Sequence, residues 1–290
     1  MQLINGRLLA EKIKDEVVKE IAGNKPGDAL LSCPRPNLAI ILAGNRPDSE
    51  LYVSLKEREA KKCGIDTHLY RCDDDATEEQ LSDIINFLNR DETIDGILLQ
   101  LPLPGGLDAD KIVAMIDPKK DVDGFHPENL KILMGTCDHE QFLPPVFAVV
   151  LEMLKSIKYD PRGEQVCIVN NSDIFSQGLA KVLECKGAKT TIVKADDEKL
   201  TSKTKEADIL ITAVGKPSFI DGDMIKKGAI IIDIGISKED DKICGDVDAD
   251  KVDDMASFLS PVPGGVGPMT IACALKNTVR LWQERNKGGA

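Results

Sequence analysis

The sequence predicts an α/β protein of two domains with mainly parallel sheets. Two observations predict it. Short apolar runs alternate with amphipathic helical stretches through the first half, and from about Lys158 the same alternation starts again. A chain of 290 residues is also long enough for about two cores.

Taken in order, residues 7–21 place Leu8, Leu9, Ile13, Val17, Val18 and Ile21 at helical spacing. Residues 24–28 and 33–36, rich in Pro, Gly and Asn, read as loops. Residues 38–43 are an unbroken apolar run, the pattern of a strand buried on both faces. The turn at 44–49 follows, with Asp48 or Ser49 as candidate helix cap. Residues 51–64 contain few breakers and stop at Gly64, so they read as one helix. Residues 67–71 are a weaker strand, Thr77-Glu-Glu-Gln80 opens a helix through about Leu88 with a capping box, and 96–101 is another buried strand. In the second half, strands are expected at 165–169, 190–193, 207–214 and 229–234, with a helix at 178–186. This is a Rossmann-like succession, and its first strand-to-helix turn, 170–178, is where a dinucleotide phosphate belongs. Gly264-Gly265 leads into an amphipathic helix over 270–282.

Charge and composition narrow the function. A net charge of −12 leaves no excess of Lys or Arg to displace counterions from nucleic acid, yet it allows an acidic small molecule at a local cluster. The N-terminal residues lack a signal-peptide pattern, and no apolar run approaches the roughly 20 residues a membrane span needs. The cysteines at 33, 63, 72, 137, 167, 185, 244 and 273 are scattered singly, which favours reduced core thiols over a disulfide framework or a metal site. The cytoplasm is the expected location.

The chemistry gathers around Tyr52 and Lys56. Residues four apart on a helix lie one above the other, so an aromatic ring and an amine share a face. Taken alone, the pair reads as an interfacial tyrosine beside a solvated lysine. Its neighbours change that reading. In parallel sheets ligands gather at the carboxyl ends of strands, and Gln100 and the segment 121–125 both fall at such ends. Gln100 can hydrogen-bond a substrate or the Lys56 amine, and Asp123 can accept hydrogen bonds from an amino-heterocycle. The alternatives are a satisfied sheet-edge amide and a turn residue before Gly124.

Tyr52-Val-x-x-Lys56, Asp95-Gly-Ile-Leu-Leu-Gln-Leu-Pro-Leu-Pro104, Lys120-Asp-Val-Asp-Gly124 and Pro261-Val-Pro-Gly-Gly-Val-Gly-Pro-Met-Thr270 resemble the bifunctional methylenetetrahydrofolate dehydrogenase/cyclohydrolase family, in order and almost end to end. The resemblance implies that Tyr52 stacks on the folate and Lys56 is the general acid/base. It implies that Gln100 tunes Lys56, that Asp123 holds the pterin, and that Pro261, Pro263, Gly264 and Gly265 close the folate cleft. It also implies a folate domain over 1–147, completed by about 268–290, a dinucleotide domain over 148–267, a homodimer, and NADP or NAD as cofactor beside a tetrahydrofolate substrate.

On the dinucleotide side the chain departs from the family. Where the family has Gly-Arg-Ser, then Val-Gly and a Pro, this chain has Asn170-Asn171-Ser172, then Phe175-Ser176 and Gly178. The family's His-Ser after the next strand is Lys194-Ala195, and its Pro-Cys-Thr-Pro hinge is Pro144-Pro145-Val146-Phe147. Loss of the arginine removes the bidentate partner expected for the 2′-phosphate of NADP. Asn at 170 or 171 is expected to supply a positive φ in place of glycine. Ser172, Gly215 and Ile236 are kept, so Asn170, Asn171, Ser172, Gly215 and Ile236 are the candidate cofactor residues. Three readings follow: the full bifunctional enzyme, a cyclohydrolase whose oxidative half is weakened, and a non-catalytic folate-binding regulatory subunit.

Overall fold

In the computed structural model, residues 1–23, 35–137, 142–239 and 242–288 are described. The loops expected at 24–28 and at Cys33-Pro34 lie outside them. The first half runs β1 (Gln2–Leu3), α1 (Gly6–Gly23), β2 (Asn37–Ala43), α2 (Pro47–Cys63), β3 (Asp66–Cys72), α3 (Glu78–Arg90), β4 (Gly96–Gln100), α4 (Ala109–Val113), α5 (Pro127–Gly135) and α6 (Pro145–Ser156). The second runs β5 (Gln165–Asn170), α7 (Asp173–Cys185), β6 (Lys189–Val193), α8 (Leu200–Thr204), β7 (Ile209–Ala213), β8 (Ile230–Asp233), β9 (Ser237–Glu239), β10 (Lys242–Cys244), α9 (Ala249–Val252), β11 (Phe258–Leu259) and α10 (Val266–Gly288). The chain clusters into two compact units, one of residues 11–132, 140–145 and 271–290, the other of residues 1–10, 133–139 and 146–270.

The unit containing residues 11–132 is built on a parallel sheet in the order β3-β2-β4. Its central strand is apolar throughout because both faces are covered. Leu38, Ile40 and Leu42 pack with Val53, Ala60 and Trp282, while Ala39 and Ile41 pack with Leu81, Ile85 and Ile112. The expected side-chain cap on α2 is not made. Pro47 occupies the first turn, where its fixed φ suits a helix, so the helix starts after Arg46 and takes in Asp48 and Ser49. Asp48 binds Arg46 and Ser49 is buried. The capping box on α3 forms as expected, with Thr77 Oγ1 accepting from Gln80 N at 3.2 Å and Gln80 Oε1 accepting from Thr77 N at 3.0 Å. The other end of α3 is closed by Lys120, whose Nζ donates to the carbonyls of Leu88, Asn89 and Asp91 at 2.8, 3.0 and 2.8 Å.

The other unit holds a parallel sheet in the order β1-β11-β8-β7-β5-β6. Strand order reverses between β6 and β7 on either side of β5, which makes the carboxyl ends of β5 and β7 a topological switch point. The helix expected at 178–186 begins five residues earlier, at Asp173, because Ser172 caps it by accepting from Phe175 N at 3.3 Å. Cysteine usage also differs from expectation. Cys63, Cys167 and Cys273 are buried thiols, but Cys137 and Cys185 form a disulfide with Cα atoms 5.2 Å apart. Their separation of 48 residues hides the pairing from the sequence.

Lys120 lies in the Lys-Asp-Val-Asp-Gly motif, yet its amine is engaged by a helix end. Lys120→Met leaves those carbonyls without their charged donor and is expected to lower unfolding stability by about 1–3 kcal/mol, measured by urea titration.

Candidate active site

Gln100 closes β4 directly opposite Leu42 of β2, at the point where the β3-β2-β4 order changes direction. From the same edge, α2 carries Tyr52 and Lys56. The result is one connected group. Lys56 Nζ donates to Gln100 Oε1 at 2.8 Å, and Gln100 Nε2 donates to the Leu101 carbonyl at 2.7 Å. The second bond fixes the amide so that its oxygen, not its nitrogen, meets the lysine. Tyr52 packs partly buried against the core that includes Val53 and Trp282.

Burial sets the electrostatics. Desolvation holds the Lys56 amine below its ordinary range, while the charge of Asp123 opposes that shift. Desolvation pushes Asp123 up to about 6, against the pull of Lys56 and with a smaller push from Asp121. Burial and then Asp48 raise the Tyr52 phenol. A depressed amine facing a raised carboxylate is an arrangement that burial and opposite charge produce together.

The two aspartates of the motif have different work. Asp121 accepts from Gly124 N at 3.0 Å, His126 N at 2.7 Å and Asn129 Nδ2 at 3.1 Å, so it builds the turn. Asp123 instead acts on Lys56 through its charge. Gly124 must be glycine there, with φ of 72° and a Cβ position 2.9 Å from the Phe142 ring.

Pro261, Pro263, Gly264 and Gly265 belong to the second unit, where they precede α10. The Gly264 carbonyl accepts from Arg7 N at 3.2 Å, and Gly265 lies so close to Gly6 that a Cβ on Gly6 would overlap its carbonyl.

At the β5/β7 switch point the candidate cofactor residues are tied together. Asn170 Nδ2 donates to the Ala213 carbonyl at 2.5 Å, and its Oδ1 accepts from Ser172 N at 2.5 Å. Asn171 Oδ1 accepts from Ala195 N at 3.1 Å, which joins the turn to the end of β6. Lys194 pairs with Asp173 at 3.2 Å. The positive φ expected at Asn170 or Asn171 is absent, since the described non-glycine residues in that region are Lys158 and Ser218. The Asn170 side chain makes the turn's hydrogen bond itself, so a left-handed backbone is not needed. Gly215 does adopt a φ of 73°, and Ile236 is 40% exposed.

The sequence departures at the hinge and at the turn meet in space. The Phe147 ring lies edge-on to Phe175 with centroids 5.4 Å apart, and a Cβ on Gly178 would fall 2.9 Å from it. The altered residues are therefore a mutual repacking. α7 starts at the carboxyl end of β5 behind its capping Ser172, and Gly215 follows the end of β7, the strand beside β5.

Two family models cover the chain. Residues 4–123 match the tetrahydrofolate dehydrogenase/cyclohydrolase catalytic domain, and residues 144–286 match the NAD(P)-binding domain of the same family. The chain belongs to the tetrahydrofolate dehydrogenase/cyclohydrolase family. It is 41% identical over 287 residues to the bifunctional protein FolD of a Nitratiruptor species, covering 99% of this chain and 100% of that one. The crystal structure of the bifunctional enzyme FolD from Campylobacter jejuni superposes with a TM-score of 0.89 at 36% identity, covering 98% and 99% of the two chains. The Trypanosoma brucei enzyme, complexed with NADP cofactor and inhibitor, gives 0.90 at 30% identity, covering 97% of each chain.

Not anticipated from the sequence is Asp246, which lies buried beneath the Val214–Lys216 turn with Thr212 beside it. The signal available was Gly235 and Gly245, each of which faces a buried carboxylate. For the folate-side group, the Lys56 titration midpoint, followed by NMR of its ε-carbon, is expected below the ordinary 10.5. Asp123→Asn removes the charge that opposes the shift, so the midpoint moves further down.

Proposed function

We propose that the protein interconverts one-carbon derivatives of tetrahydrofolate, hydrolysing methenyltetrahydrofolate to formyltetrahydrofolate and oxidising methylenetetrahydrofolate to methenyltetrahydrofolate. The observation that carries the proposal is the Lys56–Gln100 hydrogen bond beside Asp123. Hydrolysis of a methenyl bridge needs a base near neutrality. Lys56, its amine shifted down by burial, takes a proton as water adds to the methenyl carbon and returns it to the ring nitrogen as the carbon–nitrogen bond opens, while the hydroxyl proton of the carbinolamine leaves to solvent and the formyl C=O forms. Gln100 Oε1 orients the amine, Tyr52 supplies the face on which the folate stacks, and Asp123 accepts from the amino-heterocycle. Binding alone would not require a buried amine and its tuning amide, which counts against the regulatory-subunit reading.

For the oxidative half, a bound dinucleotide would supply the hydride acceptor. Asn170, Asn171, Ser172, Gly215 and Ile236 are the residues we assign to holding it. Residues 165–205 contain no arginine, and Lys194 is already engaged by Asp173. A 2′-phosphate therefore meets little free positive charge, and NAD is the nucleotide this turn favours over NADP. The domain roles assigned are folate binding to residues 1–147 with 268–290 and dinucleotide binding to residues 148–267. A homodimer in the cytoplasm completes the proposal. Among the described residues no helix is long and apolar enough to cross a membrane.

Lys56→Ala is expected to abolish methenyl hydrolysis while folate binding is largely kept; undiminished hydrolysis would remove Lys56 from the mechanism. Asp123→Ala should weaken folate binding, and an unaltered affinity would put the pterin elsewhere. Calorimetry of the purified protein is expected to show binding of NAD tighter than NADP. Rapid hydrolysis with no binding of either would restrict the activity to the cyclohydrolase step.

A further inference from the structure

Beneath the carboxyl ends of β7 and β8 two carboxylates are buried close together. Asp246 has no exposed surface. Its Oδ2 accepts from Thr212 Oγ1 at 2.8 Å and from Val214 N at 2.6 Å, and its Oδ1 accepts from Lys216 N at 2.9 Å. Asp233, the last residue of β8, accepts from Gly235 N at 3.0 Å, Asp246 N at 3.1 Å and Val247 N at 2.9 Å. Both are lodged against glycine. A Cβ on Gly235 would lie 2.1 Å from the Asp246 carboxylate, and one on Gly245 would lie 2.0 Å from Asp233 Oδ2.

This is an expensive way to fill a core, because each carboxylate gives up its water. What Asp246 gains is control of one turn. The parallel ladder of β7 ends at Ala213, opposite Asn170. Beyond it the chain turns through Gly215 at positive φ, and the amides on either side of that glycine both point at Asp246. A single buried group thus fixes the backbone just past the strand end, on the far side of the switch point from the start of α7.

We propose that Asp246 is a positioning residue for the oxidation step, holding Val214-Gly215-Lys216 in the shape that receives the dinucleotide, with Thr212 orienting its carboxylate. The proposal rests on the reading of this unit as the nucleotide site. Asp246 acts through the turn, and its hydrogen bonds among the described residues run to Thr212, Val214, Lys216, Ile220 and Asp233, so its effect falls on nucleotide use and not on hydrolysis.

The test uses Asp246→Asn and Thr212→Val in the full chain, with the nucleotide KM, the oxidation kcat and the methenyl hydrolysis kcat measured beside amide exchange at Val214 and Lys216. Asparagine keeps the shape and one acceptor oxygen. The nucleotide KM is expected to rise on the order of tenfold, with hydrolysis within about twofold of wild type and exchange at Val214 or Lys216 accelerated. Thr212→Val should raise the same KM by less. An unchanged nucleotide KM in Asp246→Asn, with hydrolysis intact, overturns the proposal, as does a loss shared equally by both activities. If Asp246→Asn does not fold, Thr212→Val decides alone: a raised KM with hydrolysis kept supports the proposal, and no rise overturns it. Failure of the underlying reading shows separately, in a wild-type protein that hydrolyses but binds neither NAD nor NADP, and that result overturns both.

Discussion

The hydrogen bond from Lys56 Nζ to Gln100 Oε1 depends on a register and on a dry surface beneath it. Pairing of Leu42 with Gln100 sets the amide at the strand end, and α2, launched from the turn after β2, brings the amine down to it. A slip of one residue would send Gln100 to the opposite face of the sheet. Val53 and Ala60, on α2 on either side of Lys56 in sequence, are fully buried with Leu98 and Trp282, so the amine rests on apolar ground that disfavours its charge. Asp123 supplies the opposing pull that limits this downward shift. Those two opposing effects set where the amine titrates, and strand register and helix placement hold them in position.

The two units treat their ligands differently. In the unit of residues 11–132 the proposed site draws on a helix, a strand end and a turn. On the dinucleotide side the turn has been rebuilt. Asn170 and Ser172 satisfy backbone amides from within, Asn171 ties the turn to Ala195, and Phe147 and Phe175 fill the space that Gly178 opens. A turn that satisfies itself is ordered before any nucleotide arrives, which lowers the entropy cost of binding but leaves fewer free donors for a diphosphate. Residues 165–205 contain no arginine, so this stretch offers no guanidinium to an anion.

Much of this was legible in the sequence because it is local. Unbroken apolar runs such as 38–43 foretold parallel strands buried on both faces, Thr77-Glu-Glu-Gln80 foretold a capped helix, and the spacing of Tyr52 and Lys56 put ring and amine on one face. Gln100 at a strand end was readable for the same reason. The start of the helix after Ser172 was less legible, since a run of Asn, Ser and Asp reads as turn until one of them is seen to cap.

What the sequence determined by itself is therefore the order of elements, the parallel α/β class and the residues able to do acid/base chemistry, because periodicity and short-range geometry fix those. Only the tertiary structure decided which carboxylate builds the turn at 121 and which faces Lys56 at 123. It alone joined Cys137 to Cys185, closed Asn170 onto Ala213, and placed Asp246 under the distant Val214–Lys216 turn. Those outcomes depend on burial and on contacts between distant segments. A side chain's charge state and hydrogen-bond partners follow from what surrounds it in space, and that is not written in its neighbours along the chain.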